Sequence, residues 1–405
     1  MQNKKKRVVI IGAGYGGLRA IERLGKRPDL DVILIDKNPY HYLQTEAYGY
    51  VAGRFDLHDV ALDLKNWCHG FSKTVDFMQA FATSVDTGKK LVRTDNGEVS
   101  YDYLILATGA KTNFFSFITG LEEHSVGVKA LPRAFQFRAA FEELLYKKVI
   151  HPNKAEVKNV NIAIGGAGLS GVEIAAEMAD VIQKHTKSIG EAASEIHIYL
   201  IDAAKTILPG MSGYIIDKTV ARLESLGVTI MTEAFIEKID EEHIYFKEGE
   251  KLPYRFMVFT GGIKANTVSV DTPVSFSRIG QYVVDSHLQL AADVYAIGDC
   301  IEMKDKNGKL LPPTAQTAEK SAEYVAAGIL KRIGGETPAP FHARVDGVFV
   351  ALGGYYAVGE MFGFIKVRGR LAYLLKKLIT KSYYLGLRLR LNIGFKKRTI
   401  EDAGK

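Results

Sequence analysis

A length of 405 residues with 47% hydrophobic and 24% charged side chains is typical of a folded globular protein and excludes a disordered one. At about 150 residues per domain, the length predicts two or three domains. The formal net charge is +7, but eleven positive charges lie between Lys366 and Arg398 with no acidic residue among them. The rest of the chain is therefore net acidic, and a partner for positive charge should be sought at that one segment.

The start of the chain argues against export. Basic residues at 4–7 lead straight into the apolar run Val8–Ile11 with no cleavage site, and no stretch approaches the roughly 18 apolar residues of a spanning helix. Cys68 and Cys300 lie far apart and form neither a CxxC pair nor a metal-ligand cluster, and the histidines show no HExxH spacing. We therefore expect no disulfide framework, no metal and a reducing, cytoplasmic location.

The first predicted unit is a strand at 7–11, a glycine-rich turn, a helix at 15–26 and a strand at 31–35. The turn has the GxGxxG pattern, in which the first glycine permits a tight turn, the second lets a pyrophosphate approach and the third lets helix and strand pack closely. Asp36 ends the second strand, where a carboxylate accepts hydrogen bonds from a ribose. The alternative is that the glycines serve only a turn and bind no ligand. The strand before the turn, the helix after it and the acidic residue beyond all favour a dinucleotide site. The turn residues are Gly12, Ala13, Gly14, Tyr15, Gly16 and Gly17.

A second unit repeats this plan from Val160, with a strand at 160–164, a helix from Ser170 and a strand at 196–201. Its glycines are Gly166, Gly168 and Gly171, and its acid is Asp202. The gap to Asp202 is long because 179–194 adds helix and loop. An acid at this place favours NADH over NADPH. A helix at 131–150, ended by Pro152-Asn153, leads into this unit.

Later elements predict a return to the first domain. A strand-like run at 294–297 precedes Gly298-Asp299, and a helix at 314–332 stops at Gly334-Gly335. We predict an α/β protein with two doubly wound Rossmann-like domains, the second inserted in the first. The predicted segments are 1–124 and 267–363 for the first domain, 125–266 for the second and 364–405 for a basic tail.

The tail predicts an amphipathic helix on a membrane surface. Leu371, Leu374, Leu375, Leu378, Ile379 and Leu385 fall on one helical face, and Lys376, Lys377, Thr380 and Lys381 fall on the other. Positive charge attracts anionic lipid head groups, at about 1 kcal/mol per basic residue. The alternative is a helix docked on protein or in a dimer interface, and the alternation at 387–393 leaves that part ambiguous. Nucleic acid is not expected as a partner.

Several segments resemble type II NADH dehydrogenases, the single-subunit NADH:quinone oxidoreductases of the two-dinucleotide-domain flavoprotein superfamily. Ala107-Thr108-Gly109 and the stretch ending in Gly298-Asp299 are similar to the superfamily's two connecting motifs. Five other stretches resemble the family's own motifs. Tyr40–Gly53 is similar to YHLFQPLLYQVATG, Gly171–Glu173 to G[VI]E and Leu208–Gly210 to LPG. Phe259–Gly262 is similar to W[TA]AG, and Ala315–Ala322 to AQxAxQ.

The resemblance implies one FAD in the first domain, NADH in the second and a membrane quinone as acceptor. It implies a peripheral protein on the cytoplasmic face, and by family analogy a homodimer. FAD would be held by the first glycine turn with Asp36, Lys37, Ala82, Ala107, Thr108, Gly109, Asp299, Thr317 and Ala318. NADH would be held by Gly166, Gly168, Gly171 and Asp202. Glu173 would lie at the junction of nicotinamide and flavin as a catalytic residue, although a charge that merely stabilises the helix N-terminus is the alternative.

The chain departs from the family at the expected quinone pocket. Gln316 keeps the first glutamine of AQxAxQ, but Lys320 replaces the second, and Glu46 stands in place of an apolar residue. By resemblance, Gln316 and Lys320 are catalytic and line the pocket with Glu46. A buried charge without a partner costs several kcal/mol, roughly. We therefore hypothesise a Glu46–Lys320 pair, with two unrelated exposed charges as the alternative.

Two other functions remain open. A sulfide:quinone oxidoreductase shares the fold but needs a redox cysteine pair beside the flavin, which Cys68 and Cys300 match poorly. A flavoprotein that binds NADH mainly for redox sensing or interaction is kept open by Glu46 and Lys320. For an NADH dehydrogenase, hydride passes directly from nicotinamide to flavin, so neither a catalytic triad nor a metal cluster is expected.

Overall fold

The computed structural model describes residues 5–71, 74–151, 158–189 and 195–403. The strands of the first half are β1 (Lys6–Ile11), β2 (Leu30–Asp36), β3 (Tyr40–Tyr42), β4 (Ala61–Asp63), β5 (Val75–Gln79), β6 (Ala82–Asp86), β7 (Leu91–Thr94), β8 (Gly97–Ser100), β9 (Tyr103–Leu106), β10 (Ala110–Thr112), β11 (Val160–Gly165) and β12 (Ile196–Ile201). Those that follow are β13 (Val228–Met231), β14 (Ile236–Ile239), β15 (His243–Phe246), β16 (Lys251–Pro253), β17 (Phe256–Phe259), β18 (Ile263–Ala265), β19 (Ser269–Val270), β20 (Gln289–Ala291), β21 (Val294–Ala296), β22 (Gly347–Ala351), β23 (Ala357–Met361) and β24 (Ile365–Gly369).

The α-helices are α1 (Tyr15–Leu24), α2 (Ala47–Val51), α3 (Leu57–Val60), α4 (Leu64–His69), α5 (Leu121–His124), α6 (Leu131–Ile150), α7 (Leu169–Ile189), α8 (Gly213–Ser225), α9 (Ala315–Ile333) and α10 (Arg370–Ala403). Short 3-10 helices cover Gln44–Glu46 and Gly298–Cys300. The predicted end of α6 at Pro152-Asn153 and the last part of the predicted insertion, 190–194, lie outside the described residues.

A six-stranded sheet forms the centre of the first domain, in the order β20-β21-β9-β1-β2-β5. Its inner strands are parallel, and β1 pairs with β2 in a register that sets Ile11 beside Ile35. Strands from both ends of the chain meet in this sheet, because β21 pairs with β9. β1 is buried along Val8–Ile11, as expected of parallel strands covered on both faces. The carboxyl ends of these strands all lie at one edge, next to the glycine turn.

The second domain contains a four-stranded parallel sheet in the order β13-β12-β11-β17. The register sets Gly165 beside Ile201 on one side and beside Phe259 on the other. α7 runs along this sheet for 21 residues, beginning one residue before the predicted Ser170. The fold class is therefore the predicted one, with two Rossmann-like dinucleotide-binding domains. The segment boundaries at 124, 266 and 363 stay predictions.

The tail is one long helix. α10 extends over 34 residues, about 50 Å at 1.5 Å per residue, so the ambiguous stretch at 387–393 is helical. Ala372 and Leu387 are fully buried, and a Cβ added to Gly394 would lie 1.8 Å from the Asn66 carbonyl oxygen. The inner face of α10 therefore packs against α4 at backbone distance. In the described part of the chain, no helix combines the length and apolar character needed to cross a membrane.

The opposite face of α10 is apolar and exposed. Its members, each between 45% and 67% exposed, are Leu371, Leu374, Leu378, Ile379, Leu385, Leu389, Ile393 and Phe395. We call these eight residues the apolar stripe. They recur at helical spacing, so the sequence-based grouping of the apolar face is confirmed, with Leu375 only partly exposed. The lysine face differs from the prediction, because Lys376 and Lys377 point into the protein with side chains 13% and 15% exposed.

Candidate functional site

The first glycine turn is closed by Asp36. Gly12 has a φ of +106°, which is open to glycine at little cost, and its N–H donates to the Ile35 carbonyl at 2.8 Å. One Asp36 oxygen accepts from the Ala13 N–H at 2.7 Å and the other from the Asn38 N–H at 2.8 Å. Burial is the largest influence on this carboxyl and raises its pKa. The strand-end acid predicted from sequence thus also holds the turn in shape.

The second glycine turn has the same construction. Gly166 has a φ of +103° and donates to the Ile201 carbonyl at 2.7 Å. One Asp202 oxygen accepts from the Ala167 N–H at 2.5 Å, and the other accepts from the Ala204 N–H at 2.7 Å. The two turns therefore match each other bond for bond, which a chance resemblance of two GxGxxG patterns would not produce.

Each turn leaves room where a phosphate would approach. A Cβ added to Gly14 or Gly168 would meet nothing within 4 Å, whereas one added to Gly17 or Gly171 would lie 1.9 Å from a carbonyl of its own turn. α1 begins at Tyr15, and its N-cap residue Gly14 makes no side-chain hydrogen bond to the helix, so the first N–H groups of the helix can bind an anion. These cradles fit the pyrophosphates of two dinucleotides.

The connecting motifs pack against the first turn. A Cβ on Gly12 would lie 2.3 Å from the Ala107 carbonyl oxygen, and the Thr108 hydroxyl donates to the Asn266 carbonyl. Asp299 lies in the 3-10 helix that follows β21, 3.3 Å from the Lys129 ammonium. Lys129 was not predicted, because its position in the turn before α6 carries no motif. Of the two further predicted contacts, Lys37 directly follows Asp36 and is exposed, and Ala82 is buried at the start of β6.

The N-terminus of α9 is built around Thr317. Thr314 and Thr317 form a reciprocal capping pair, in which each side chain bonds the backbone N–H of the other. The next residue, Ala318, lies close to the first glycine turn and to Gly298. Its carbonyl would be 3.3 Å from a Cβ on Gly16, and its Cβ would be 3.4 Å from one on Gly298. Thr317 and Ala318 therefore lie where the first turn and the Asp299 segment meet.

Gln316 and Lys320 are both held by one loop. The Gln316 side-chain oxygen accepts from the Asp346 N–H at 2.9 Å. The Lys320 ammonium lies 2.6 Å from the Asp346 carboxylate and 2.7 Å from the Arg344 carbonyl. The hypothesised Glu46–Lys320 pair is therefore wrong. The helical turn that carries Lys320 directs its side chain toward the loop before β22, where Asp346 provides the compensating charge.

Glu46 pairs with the tail instead. It is 4% exposed, and its Oε2 lies 2.6 Å from the Lys377 ammonium. Its Oε1 is buried and has no hydrogen-bond partner among the described residues. The alternative of two unrelated exposed charges is also wrong, since Glu46 is buried and both charges have partners. The sequence alone could not identify Lys377 as the partner of Glu46, because the rotation of α10 about its axis decides which lysines point inward.

Glu173 has a similar partner. Its Oε1 accepts from the Ala351 N–H at 2.9 Å and lies 2.5 Å from the Lys376 ammonium. Consecutive lysines of α10 therefore compensate two buried glutamates, one before α2 and one on α7. The Tyr48 ring lies between them, with its centroid 5.1 Å from the Lys376 ammonium and 6.0 Å from that of Lys377. This cluster joins the tail to both domains.

An aromatic group connects the first turn with the tail. Tyr15 donates or accepts a 2.6 Å hydrogen bond with Thr45, and its ring is 5.1 Å from that of Tyr383 on α10. His41 is bonded to the Ala13 carbonyl at 2.7 Å, and burial lowers its pKa to about 4. A histidine with so low a pKa is neutral at pH 7, and its hydrogen bond to Ala13 gives it a structural role at the first turn.

Glu319 was missed by the sequence analysis. Burial raises its pKa to about 7, since Arg19 offsets the loss of water only in part and Glu22 and Glu323 add repulsion. The signal was available, because an acid stands inside the AQxAxQ-like segment at the second variable position.

Replacement of Glu319 by Gln should stabilise the protein in a pH-dependent way. A carboxyl whose pKa is raised by folding, here from 4.5 to about 7, favours the folded state least once pH exceeds the folded pKa. Glu319→Gln should therefore leave the free energy of unfolding unchanged at pH 4.5 and raise it by up to about 3 kcal/mol at pH 8. Denaturant titrations across this range measure it. Glu122→Gln, on an exposed site of α5, is the control, and an equal effect at all pH values would contradict the argument.

Two dinucleotide cradles of one design, joined by an acidic and aromatic cluster, define a protein with two dinucleotide-binding domains. Residues 6–322 match the family described as pyridine nucleotide-disulphide oxidoreductase. This match covers most of the chain, so the chain belongs to that family.

Relatives and solved structures agree over the full length. A type II NADH:quinone oxidoreductase of Staphylococcus epidermidis is 28% identical over 394 residues, which cover 95% of this chain and 96% of that protein. The Staphylococcus aureus protein of the same name is 28% identical over 388 residues, covering 94% and 95%. NDH2 from Plasmodium falciparum, solved in complex with NADH, superposes with a TM-score of 0.84 at 21% identity over 98% of both chains. The sulfide:quinone oxidoreductase of Aquifex aeolicus superposes with a TM-score of 0.79 at 19% identity, covering 98% and 95%. The structural likenesses show a shared fold.

Proposed function

We propose that this chain is an FAD-containing NADH:quinone oxidoreductase of type II that works at a membrane surface. The main support is the pair of matched dinucleotide cradles. The chain also aligns over 95% of its length with a relative named type II NADH:quinone oxidoreductase. The overall reaction takes NADH, one proton and a quinone to NAD⁺ and a quinol. FAD held in the first cradle would supply the redox chemistry, namely the capacity to take up a hydride from nicotinamide and to deliver two electrons to a quinone.

The first turn is the proposed FAD site and the second the NADH site. Asp36 and Asp202 keep each turn in its binding shape, and a carboxylate beside the second cradle disfavours a 2′-phosphate. Asp299, Thr317 and Ala318 would lie along the flavin, because they converge on the first turn. Glu173 would lie near the nicotinamide, close behind Gly171 in the same helix. Gln316 and Lys320 stay proposed acceptor-side residues, now held by Asp346.

The alternative function, a sulfide:quinone oxidoreductase, has less support. A redox cysteine must reach its substrate and form a thiolate. Cys68 and Cys300 are both free and buried, and burial raises the pKa of each thiol. Neither has the properties of a redox nucleophile, which favours NADH over sulfide as the electron donor.

Stopped-flow absorbance of the flavin tests the function. NADH should bleach the flavin rapidly, and a soluble quinone should then reoxidise it within the steady-state turnover time. Rapid bleaching without reoxidation by quinone would support the redox-sensing alternative and contradict the proposal. Bleaching by sulfide but not by NADH would support the sulfide alternative.

The apolar stripe is the proposed membrane contact on the cytoplasmic face. Eight exposed apolar residues on one face of a helix whose other face is docked match an interfacial helix, with its apolar side in the acyl boundary. Lys376 and Lys377 are engaged by glutamates, so the remaining basic residues of 366–398 would attract anionic lipid. A homodimer stays part of the proposal, and light scattering after size exclusion tests it.

Charge on the apolar stripe should release the protein from membranes. The triple variant Leu374→Glu/Leu378→Glu/Leu385→Glu should lower binding to phosphatidylglycerol-containing vesicles at least about tenfold, because each buried CH₂ contributes about 0.8 kcal/mol. Co-sedimentation measures this. Phe117→Glu/Phe276→Glu/Leu310→Glu, which charges three exposed apolar residues elsewhere, is the matched control. Unchanged vesicle binding with an altered oligomeric state would show that the stripe is a protein interface.

A further inference from the structure

Glu46 is buried, charged and only half satisfied. Its Oε2 lies 2.6 Å from the Lys377 ammonium, while its Oε1 has less than 1 Å² of exposed surface and no hydrogen-bond partner among the described residues. Buried polar atoms without a partner are rare in folded proteins and call for an explanation such as a ligand. Glu46 therefore has one oxygen that is available to accept a hydrogen bond from a ligand.

A buried donor without a partner among the described residues belongs to Tyr48, two residues further along the chain. The ring of Tyr48 packs 6.0 Å from the Lys377 ammonium, and the charge of Glu46 is the strongest neighbouring charge acting on its phenol. The residue that pairs with Lys377 thus has one unsatisfied acceptor, and the tyrosine whose ring packs near the same ammonium has one unsatisfied donor.

Lys377 is in contact with an acid and with aromatic rings. Besides the ion pair with Glu46, its ammonium lies 4.0 Å from the centroid of the Phe55 ring, close enough for a strong cation–π interaction. The Phe55 ring in turn meets that of Tyr48 edge to face at 5.9 Å. Burial lowers the pKa of Lys377, and Glu46 opposes that shift.

We infer that Lys377 is a positioning residue for the electron acceptor, keeping Glu46 as a buried carboxylate so that Glu46 Oε1 and the Tyr48 hydroxyl can bind the polar head of a quinone. This inference rests on the proposed function. A quinone carbonyl accepts a hydrogen bond from the tyrosine, and the hydroxyl formed on reduction donates one to the carboxylate. A head group with oxygens that change from acceptor to donor fits this pair at both ends of the reaction.

The inference gives α10 a role at the acceptor site in addition to membrane contact. The lysine comes from the inner face of the same helix that carries the apolar stripe, with Leu374 and Leu378 on its outer face. A quinone that arrives from the lipid along the stripe would therefore meet a polar site completed by that helix.

Other charges around Glu46 must be considered for any pH effect. Lys376, Lys381 and Tyr373 belong to α10, Tyr15 to α1, Tyr48 and Arg54 to the segment of Glu46 itself, and Glu173 to α7. Lys377 alone among these groups makes an ion pair with Glu46. Removal of its charge leaves a buried carboxylate uncompensated, and desolvation then raises a carboxyl pKa.

The test compares Lys377→Met with Lys377→Arg, measuring flavin reduction by NADH and steady-state kinetics with a soluble quinone between pH 6 and 9. Lys377→Met should raise the KM for quinone about tenfold and move the acid limb of kcat/KM for quinone to higher pH. Flavin reduction by NADH should stay within about twofold of the unchanged protein. Lys377→Arg should restore most of the loss, and Lys331→Met, an exposed lysine on α9, should change nothing.

A second variant separates positioning from stability. Glu46→Gln/Lys377→Met contains no buried charge at this place, so it should recover stability lost by Lys377→Met but keep a high KM for quinone with no shifted limb. If Lys377→Met lowers only stability and leaves both the KM and the pH profile for quinone unchanged, the inference is overturned. If the unchanged protein is not reoxidised by quinone at all, the proposed function fails instead.

Discussion

An Arg54→Met variant should lose about 3–5 kcal/mol of stability, the range expected when one partner of a buried ion pair is removed. The Arg54 guanidinium contacts the Glu177 carboxylate and lies 2.5 Å from Asp180. The Glu177 side chain is only 2% exposed, so the loss of Arg54 leaves its carboxylate without a compensating charge in a place that water cannot reach. Denaturant titration followed by circular dichroism measures the change.

Two further variants qualify that result. Arg54→Met/Glu177→Gln should recover much of the loss, because the stranded charge is gone. Arg27→Met breaks an ion pair with Asp29 in which both side chains are about half exposed, and it should leave stability unchanged, as surface pairs contribute little. A loss in Arg54→Met no larger than that in Arg27→Met would contradict the importance of burial. Since Arg54 follows α2 and both acids lie on α7, this pair also joins the two domains.

A Gly171→Ala variant should lose NADH-dependent bleaching of the flavin by at least about 100-fold while keeping its FAD. The added Cβ would lie 1.9 Å from the Gly166 carbonyl oxygen and 2.7 Å from the Thr260 hydroxyl, so the second turn cannot keep its shape. Close packing of helix and strand at the third glycine is what the motif requires. Stopped-flow absorbance and the ratio of flavin to protein absorbance give the two readouts.

The matching substitution in the first turn should have the opposite pattern. Gly17→Ala would bring its Cβ 1.9 Å from the Gly12 carbonyl oxygen, and the protein should be purified without FAD. Gly213→Ala, at a helical position with nothing within 4 Å, is the control and should be neutral or slightly stabilising. Loss of FAD in Gly171→Ala but not in Gly17→Ala would reverse the assignment of the two domains.

The nucleotide-binding part of the fold could be predicted from sequence because its signals are local. Helix α6 has the predicted bounds, and β12 does as well. The capping residue Thr314 and the stop at Gly334 place α9 within one residue of its prediction at each end. A turn that needs glycine, an acid at a strand end and a periodic apolar face are properties of neighbouring residues, so a single sequence contains them.

The charge pairs could not be predicted in the same way. The Glu46–Lys320 hypothesis paired residues by supposed proximity to one pocket, yet the partner of Glu46 comes from 331 residues further along the chain. Such a contact depends on how α10 is rotated and where it docks. The same holds for Arg54 and α7. Sequence indicated that a buried glutamate would need a cation, and the tertiary structure decides which one.

The two closed turns have a consequence for the rate of cofactor binding. Asp36 and Asp202 already hold their turns by direct bonds to Ala13 and Ala167, so the backbone that would contact a pyrophosphate is ordered before the ligand arrives. Preorganisation removes the entropy cost of ordering from the binding step. NADH should accordingly associate in one phase, with an observed rate that rises linearly with NADH concentration and no slow isomerisation, and the specificity of the site should be expressed in how slowly the dinucleotide leaves.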